Sequence, residues 1–295
     1  MNKVRIRRLA LAQQLAPYYC DNPKVAAVLV EGSVARGYAD PFSDIDLAVF
    51  WEAAPTEKER RDISKRAGGR HLQLFAYNGE EACWSDTYEV DGIAIDVRHV
   101  GVEDTRHILA DVLERSDPSL SKQQHIAALL SALPLADSSA MLTHWQSRAQ
   151  VYPRELSMAM VRAHLLFRPA WEQEKLAERG DLLALYESFC TVEKQILLVL
   201  MGLNRIYYPG WRWVDRLMVQ MRIAPLKLAP RLKQLFGIVS IDPLASAYQL
   251  HDLVEETFRL VETHLRELDT AHARARFQER RQIWEYVPDG LVEEA

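Results

Sequence analysis

Cysteine is scarce in this sequence, and no two cysteines have the spacing of a metal site. Cys20, Cys83 and Cys190 are the only three in 295 residues, and they lie far apart along the chain. An odd, scattered set argues against a disulfide framework and against a structural zinc site. It favours three reduced thiols in a cytoplasmic protein.

Long apolar runs are also missing. The longest candidate, residues 195–203, is far shorter than the roughly 18 to 20 apolar residues that cross a bilayer. The first twenty residues are basic and then apolar, but glutamines interrupt them and no cleavage site follows. We therefore interpret them as an amphipathic helix rather than a signal peptide, and we expect no membrane partner.

Positive charge is not in excess. Lysine and arginine number 36 against 41 aspartates and glutamates, which gives a net charge of −5, and 48% of the residues are hydrophobic. This composition is typical of a globular protein and excludes a mainly disordered or fibrous chain. The acidic balance also speaks against general contact with phosphate backbones, so we do not expect a nucleic acid partner.

The pattern of the sequence changes near residue 102. Before it, strand-like apolar runs such as VAAVLV at 25–30 alternate with turn residues. After it, the periodic segments have helical spacing, and no further strand is predicted. We predict an α+β protein, with an α/β domain and a mixed sheet over residues 1–102 and an all-helical domain over residues 103–295.

The clearest local signal is a hairpin at Asp91-Gly92. Asp-Gly between β-prone runs favours a two-residue turn, because both central residues need a positive φ. Such a turn places Thr87 opposite Asp96. Glu89 then lies on the same face of the hairpin as these two residues.

Three acidic residues interrupt apolar, strand-like segments. Asp44 and Asp46 are two positions apart and so point to the same side of a strand, and Asp96 stands alone between Ile95 and Val97. Neighbouring carboxylates raise each other's pKa unless a cation lies between them. Since carboxylate oxygens suit Mg²⁺, the three acids predict a site for two magnesium ions about 3.5–4 Å apart.

A glycine–serine pair follows the first buried strand. Gly32 allows a ligand to approach the backbone closely, and Ser33 offers a hydroxyl beside the free N–H groups at the start of a short helix. Arg36 lies over the same turn and adds positive charge. These features are typical of a phosphate site, but Ser33 could equally cap the helix and Arg36 could be a solvated surface residue.

Together these motifs resemble the polymerase-β-type nucleotidyltransferase superfamily. Its pattern is an apolar residue, Gly-Ser, a spacer, Asp-x-Asp and a separate strand acid. In this chain the pattern is carried by Gly32-Ser33, Asp44-Ile45-Asp46 and Asp96. The string GSVARGYADPFSDIDLAVF is most similar to the small-molecule branch, which includes the aminoglycoside and lincosamide nucleotidyltransferases.

The resemblance implies an activity and the groups that serve it. A nucleoside monophosphate, expected to be AMP, would pass from ATP or another NTP to a hydroxyl of a small molecule, and pyrophosphate would be released. The strand acids would hold Mg²⁺, and the glycine–serine turn with its arginine would hold the triphosphate. The helical domain over residues 103–295 would bind the acceptor.

Several alternatives remain open at this stage. Asp96 and Glu89 both compete as the base that takes the acceptor's proton, although Glu89 also fits a solvent-facing strand position. The acceptor could instead be a protein or an RNA, as in antitoxin-type members of the superfamily. A non-catalytic nucleotide-binding module is a third possibility, but the presence of all three acids argues against it.

An aromatic segment, NRIYYPGWRW at 204–213, lies in the helical half. Its rings and arginines suit the stacking of a nucleobase or a planar acceptor. A packed junction between helices is the more frequent reason for such a segment. The sequence predicts a helix over 211–222.

Overall fold

The structure is a computed structural model that describes residues 2–137 and 139–280. The chain divides into two compact units. The first contains Met1–Met160 and Asn204–Leu217, and the second contains Val161–Leu203 and the residues from Met218 onward. In the described residues, no helix combines the length and the apolar character that crossing a membrane requires.

Six strands form one mixed sheet in the first unit. They are β1 (Val25–Val30), β2 (Ile45–Trp51), β3 (Arg70–Leu74), β4 (Cys83–Val90), β5 (Ile93–Gly101) and β6 (Leu133–Asp137). Their order is β3-β4-β5-β2-β1-β6, with β2 and β5 parallel and the other neighbours antiparallel. The α+β class with a mixed sheet is therefore confirmed.

Helices make up most of the remaining described structure. They are α1 (Lys3–Cys20), α2 (Gly32–Arg36), α3 (Glu57–Arg66), α4 (Val102–Leu113), α5 (Leu120–Ser131), α6 (Met141–Ala149), α7 (Arg154–His164), α8 (Ala170–Arg179), α9 (Leu182–Asn204), α10 (Val214–Met218), α11 (Leu228–Ile238), α12 (Pro243–His264) and α13 (Ala271–Phe277). A 3₁₀ turn at Trp211–Trp213 leads into α10. The single helix predicted over 211–222 is thus replaced by two short pieces.

Strand β2 lies in the middle of the core of the first unit. All of its residues are buried except Asp46, which is half-buried. Leu11 and Leu15 of α1 belong to the same apolar cluster as Leu47 and Val49. A carboxylate in so apolar a strand is costly unless it faces a polar site, so the fold itself singles out Asp46.

The hairpin between β4 and β5 has the predicted register. Asp91 and Gly92 have φ values of 53° and 73°, as a two-residue turn of this type requires. Thr87 pairs with Asp96 across the strands. Glu89 is two residues further along β4 towards the turn, so it points to the same side of the strand as Thr87. The prediction that these side chains share a face is confirmed.

The prediction that no strand follows the hairpin is wrong. Strand β6 pairs with β1 at the edge of the sheet, where Pro134 lies opposite Leu29. An edge strand tolerates proline because an N–H that faces outward needs no partner within the sheet. The proline and the short apolar run conceal this strand in the sequence. Since β6 completes the sheet, the first unit extends past residue 102, where the sequence places the domain boundary.

A buried polar network joins α3 to three strands of the sheet. Arg60 forms an ion pair with Asp86, whose second oxygen lies 2.7 Å from Nε2 of His99. Trp51 donates its indole N–H to Nδ1 of His99 at 3.1 Å. Burial lowers the pKa of His99, so the ring is neutral and donates from Nε2 to Asp86.

Replacing Arg60 by leucine is expected to reduce the free energy of unfolding by about 3 kcal/mol, because Asp86 would remain buried without its cation. The matched control is Arg61→Leu on the same helix, which removes an exposed ion pair with Glu57 and should cost at most about 0.5 kcal/mol. Urea unfolding followed by circular dichroism measures both. Equal losses would show that the Arg60–Asp86 pair has no special weight.

Candidate active site

The three strand acids converge where β2 and β5 pair. The parallel register sets Asp46 beside Asp96, and Asp44 lies in the loop directly before β2. One carboxylate oxygen of each residue lies within 4.8 Å of those of the other two. Two sequence motifs fifty residues apart thus contribute to a single cluster of oxygen ligands.

Burial and mutual repulsion alter the acidity of this cluster. Burial, together with the negative charges of Asp44, Glu31 and Asp96, raises the pKa of Asp46 to about 7. Burial also raises the pKa of Asp96, although the Thr87 hydroxyl donates a hydrogen bond to it at 2.9 Å. Without a cation, the cluster therefore retains protons at a pH where isolated aspartates are ionised.

Gly32 lies directly against one of these acids. Its φ is +61°, and a Cβ built on it would fall 1.7 Å from Oδ2 of Asp46. The backbone N–H of Glu31 also donates to the carbonyl oxygen of Asp46 at 2.8 Å. Glycine is required here because a side chain would collide with this carboxylate. The sequence analysis gives another expected reason, the close approach of a ligand to the backbone.

Ser33 does not cap the short helix α2. The cap position is Glu31, which makes no side-chain capping bond, and Ser33 is the second residue of the helix. Its hydroxyl oxygen is buried and has no hydrogen-bond partner among the described residues. Ser33 is not among the described residues that line the cavity next to the acids, so a contact between its hydroxyl and a ligand stays a prediction.

Arg36 is held in place rather than solvated. Its guanidinium donates to the backbone carbonyl of Ala127 on α5 at 3.2 Å and lies 4.9 Å from the centre of the Trp213 ring. Its Nε atom is buried and has no hydrogen-bond partner in the part of the chain that the structure describes. The side chain therefore keeps hydrogen-bonding capacity for an anion in the site.

The basic start of the chain anchors the loops that carry the site. Arg5 donates to the carbonyl of Val34 on α2 at 2.8 Å. Arg8 donates to the carbonyl of Ser43, just before Asp44, at 2.6 Å. Positive charges that superficially resemble the start of a signal peptide thus hold the glycine–serine turn and the acidic loop.

A cavity of about 500 Å³ opens above the acids. Such a volume is within the range of small-ligand sites. On its floor, Glu31 and Arg98 form an ion pair at 3.2 Å. The other lining residues are Gly32, Arg36, Asp46, Glu80, Glu81, Asp96, Ser121, Gln124, His125, Ala128, Pro209, Gly210, Trp211, Arg212 and Trp213.

Glu89 is not brought to this site. It is half-buried on the same strand as Thr87, but it belongs neither to the acidic cluster nor to the described residues that line the cavity. The register that the sequence predicts is right, yet Glu89 lies too far towards the hairpin turn to reach the cavity. Asp96 is the candidate base that the geometry favours.

Several lining residues were not identified as candidates from the sequence. Arg98 shares the face of Asp96 because it is two positions further along β5, and Glu31 directly precedes the glycine–serine pair. Both residues could therefore have been identified from their positions in the sequence. Arg212 belongs to the aromatic segment that the sequence singles out, whereas Gln124 and His125 left no signal, because α5 reaches the site only through the tertiary fold. The positive charge of Arg212 partly offsets the rise in the pKa of Asp46 and of Asp96.

Comparisons with known proteins give two family matches and a solved structure. Residues 13–78 match the family model described as polymerase beta, nucleotidyltransferase. Residues 120–214 match a domain of unknown function, DUF4037. No curated protein matches the chain. Among solved structures, a nucleotidyltransferase-like protein from Exiguobacterium sibiricum 255-15 is 11% identical, covers 91% of this chain and 77% of its own, and has a TM-score of 0.40.

The first family match spans the glycine–serine turn and the first two acids. Residues 13–78, within the first unit, are therefore similar to a nucleotidyltransferase domain of the polymerase-β type. The second match begins at α5 and ends just after the 3₁₀ turn. Its parts within the first unit supply the cavity wall that the sheet does not, so the two matched segments contribute to the same cavity.

The raised pKa of Asp46 predicts a pH-dependent effect of Asp46→Asn on stability. A folded-state pKa above the unfolded value means that the free energy of unfolding falls as pH rises through the range from about 4 to about 7. Asparagine removes this loss. In EDTA at pH 8, the variant should therefore melt about 2–4 °C higher than the original chain, whereas the difference at pH 5 should be small.

Differential scanning calorimetry at the two pH values measures this effect, and Asp252→Asn, on the exposed surface of the second unit, serves as the control. A lower melting temperature for Asp46→Asn at pH 8 would show that Asp46 stabilises the fold and is not a strained ligand.

Proposed function

We propose that this protein is a metal-dependent nucleotidyltransferase that moves AMP from ATP, or the equivalent group from another NTP, to a hydroxyl of a small molecule, with release of pyrophosphate. The observation that carries the proposal is the meeting of three carboxylates, of which Asp46 and Asp96 line the cavity and Asp46 packs against Gly32. The first two acids and the glycine–serine turn lie in the segment that matches the nucleotidyltransferase family model.

The acidic cluster fits magnesium. Three carboxylates supply hard oxygen ligands, and the raised pKa of Asp46 shows that they lack enough positive charge of their own. We therefore assign two Mg²⁺ ions to Asp44, Asp46 and Asp96. When bound, the metal supplies positive charge to the attacking and leaving oxygens of the transfer.

The protein's own residues would orient the two substrates. The hydroxyl of Ser33 and the guanidinium of Arg36 donate hydrogen bonds to the triphosphate, and Gly32 keeps the backbone free of a side chain at that point. Asp96, which lines the cavity, accepts the proton of the acceptor hydroxyl. Arg98 stays bound to Glu31 and supports the floor of the site.

The nature of the acceptor follows from the resemblance to the small-molecule branch. That branch modifies antibiotics such as aminoglycosides and lincosamides, so these compounds are the first acceptors to test. A reducing compartment such as the cytoplasm suits the chain, because its three cysteines are free thiols.

The activity is tested by pyrophosphate release from labelled ATP and Mg²⁺ in the presence of aminoglycosides, lincosamides and a fractionated cell extract. We expect release with at least one acceptor, and a loss of at least about a hundredfold in Asp46→Asn, because the variant lacks one metal ligand. The control Asp252→Asn should keep full activity.

The acceptor class is identified by the kind of product that carries the label, which can be a small molecule, a protein or an RNA. Binding of ATP that is independent of Mg²⁺, together with no pyrophosphate release under any condition, would contradict the proposed function.

Metal affinity should increase with pH across the range near 7. Asp46 must lose its proton to bind a cation, and its pKa is about 7. From pH 6 to pH 8 we expect the dissociation constant for Mn²⁺, used as a spectroscopic substitute for Mg²⁺, to fall by about tenfold. Electron paramagnetic resonance measures free Mn²⁺ directly, and an affinity that does not change over this range would place the metal elsewhere.

A further inference from the structure

One wall of the cavity has no part in the proposed chemistry. It is formed by Gln124 and His125 on α5 and by residues 209–213. The wall lies in the same compact unit as the acids and the glycine–serine turn. Its side chains offer an aromatic surface and polar groups that are neutral except for Arg212.

The two tryptophans of this wall have different surroundings. Trp213 contacts the ring of Tyr38, at 6.1 Å between centres, and the guanidinium of Arg36. The guanidinium of Arg216 lies 4.0 Å from the centre of the Tyr38 ring, so these four side chains form a continuous stack that fixes the segment. Trp211 lines the cavity with 44% of its surface exposed. Its ring is therefore available to stack on a planar ligand.

The backbone at Gly210 brings this segment close to α5. Gly210 has a φ of +95°, and a Cβ there would lie 3.4 Å from the amide of Gln124. Because any other residue would be strained at this φ, the glycine allows the aromatic segment and the exposed amide of Gln124 to border the same space. Gln124 offers both a donor and an acceptor.

His125 adds a second polar group with an unused atom. The residue is 5% exposed, and its Nε2 lies 3.2 Å from the hydroxyl of Thr105. Its Nδ1 has no hydrogen-bond partner among the described residues. Burial, together with the positive charge of Arg98, lowers the pKa of His125 to about 3, so the ring is neutral at pH 7. It offers one hydrogen bond and no charge.

We propose that this wall binds the nucleobase of the NTP, with Trp211 stacked on the ring and Gln124 and His125 selecting its polar edge. A nucleobase is a planar ring whose edge carries both donors and acceptors, which an indole, an amide and a neutral imidazole can match. The proposal rests on the proposed function, because it requires the triphosphate of the same molecule at Ser33 and Arg36.

The position of the wall favours the donor nucleotide over the acceptor. Arg36, the candidate triphosphate ligand, donates to the carbonyl of Ala127 on α5 and contacts Trp213. Both parts of the wall, α5 and the aromatic segment, thus contact Arg36, which would hold the phosphates. A ligand that reaches Arg36 with its phosphates has its base beside this wall.

Equilibrium binding tests the proposal without catalysis. Isothermal titration calorimetry with Mg²⁺ compares ATP, GTP, CTP and UTP with inorganic tripolyphosphate, which has no base. We expect the original chain to prefer one NTP over the weakest by about tenfold or more. Trp211→Ala should weaken binding of all four NTPs by about tenfold and leave tripolyphosphate unchanged, whereas Trp211→Phe should retain most of the affinity.

Two edge variants complete the experiment. Gln124→Ala and His125→Phe should reduce the preference among the NTPs by about tenfold without changing tripolyphosphate binding. Gln14→Ala, at an exposed position of α1, is the matched control and should bind all probes as the original chain does. Circular dichroism confirms that each variant is folded, and the exposed Gln124 and Trp211 keep the test valid if His125→Phe does not fold.

The outcomes separate the two proposals. NTP affinities and preferences that stay unchanged in Trp211→Ala and Gln124→Ala would overturn the nucleobase site and would assign the wall to a planar acceptor. Equal losses of NTP and tripolyphosphate would also overturn it. If the original chain binds neither NTP nor tripolyphosphate in the presence of Mg²⁺, the proposed function itself fails.

Discussion

The repulsion among three carboxylates is the constraint around which the first unit is organised. Asp46 is the one half-buried residue in a strand that is otherwise buried, and Asp96 lies beside it in the parallel register. Apolar side chains at these two positions would make the folded sheet more stable. Keeping these carboxylates together therefore lowers the free energy of unfolding. The raised pKa of Asp46 has the same causes, burial and repulsion.

The surrounding structure limits the same repulsion. Glu31, which adds negative charge to the cluster, is bound to Arg98, and Arg212 approaches from the segment after α9. Arg5 holds α2 by a backbone contact, and Arg8 holds the loop directly before Asp44 in the same way. Rigid support from several elements is what a site needs to hold a cation in a defined geometry.

The local parts of the site could be predicted from the sequence. The hairpin register follows from Asp91-Gly92, and the meeting of Asp44 with Asp46 was predicted from the period of a strand, although Asp44 lies in the loop before β2. The position of Glu89 shows the limit of this reasoning, since the shared face was right but the distance to the cavity depends on where β2 pairs with β5. Such pairing joins residues fifty positions apart and leaves no local pattern. Strand β6 was missed for a related reason, because only its place at the edge of the sheet accommodates Pro134.

The return of residues 204–217 to the first unit has a consequence for biosynthesis. Asp44, Asp46 and Asp96 leave the ribosome long before Arg212 and Trp213, with the whole of residues 161–203 made in between. During that interval the nascent sheet carries its clustered negative charge without the arginine that later opposes it. A ribosome-bound fragment ending near residue 160 would thus have the acidic cluster but an incomplete cavity, because residues 209–213 of the lining are made only later.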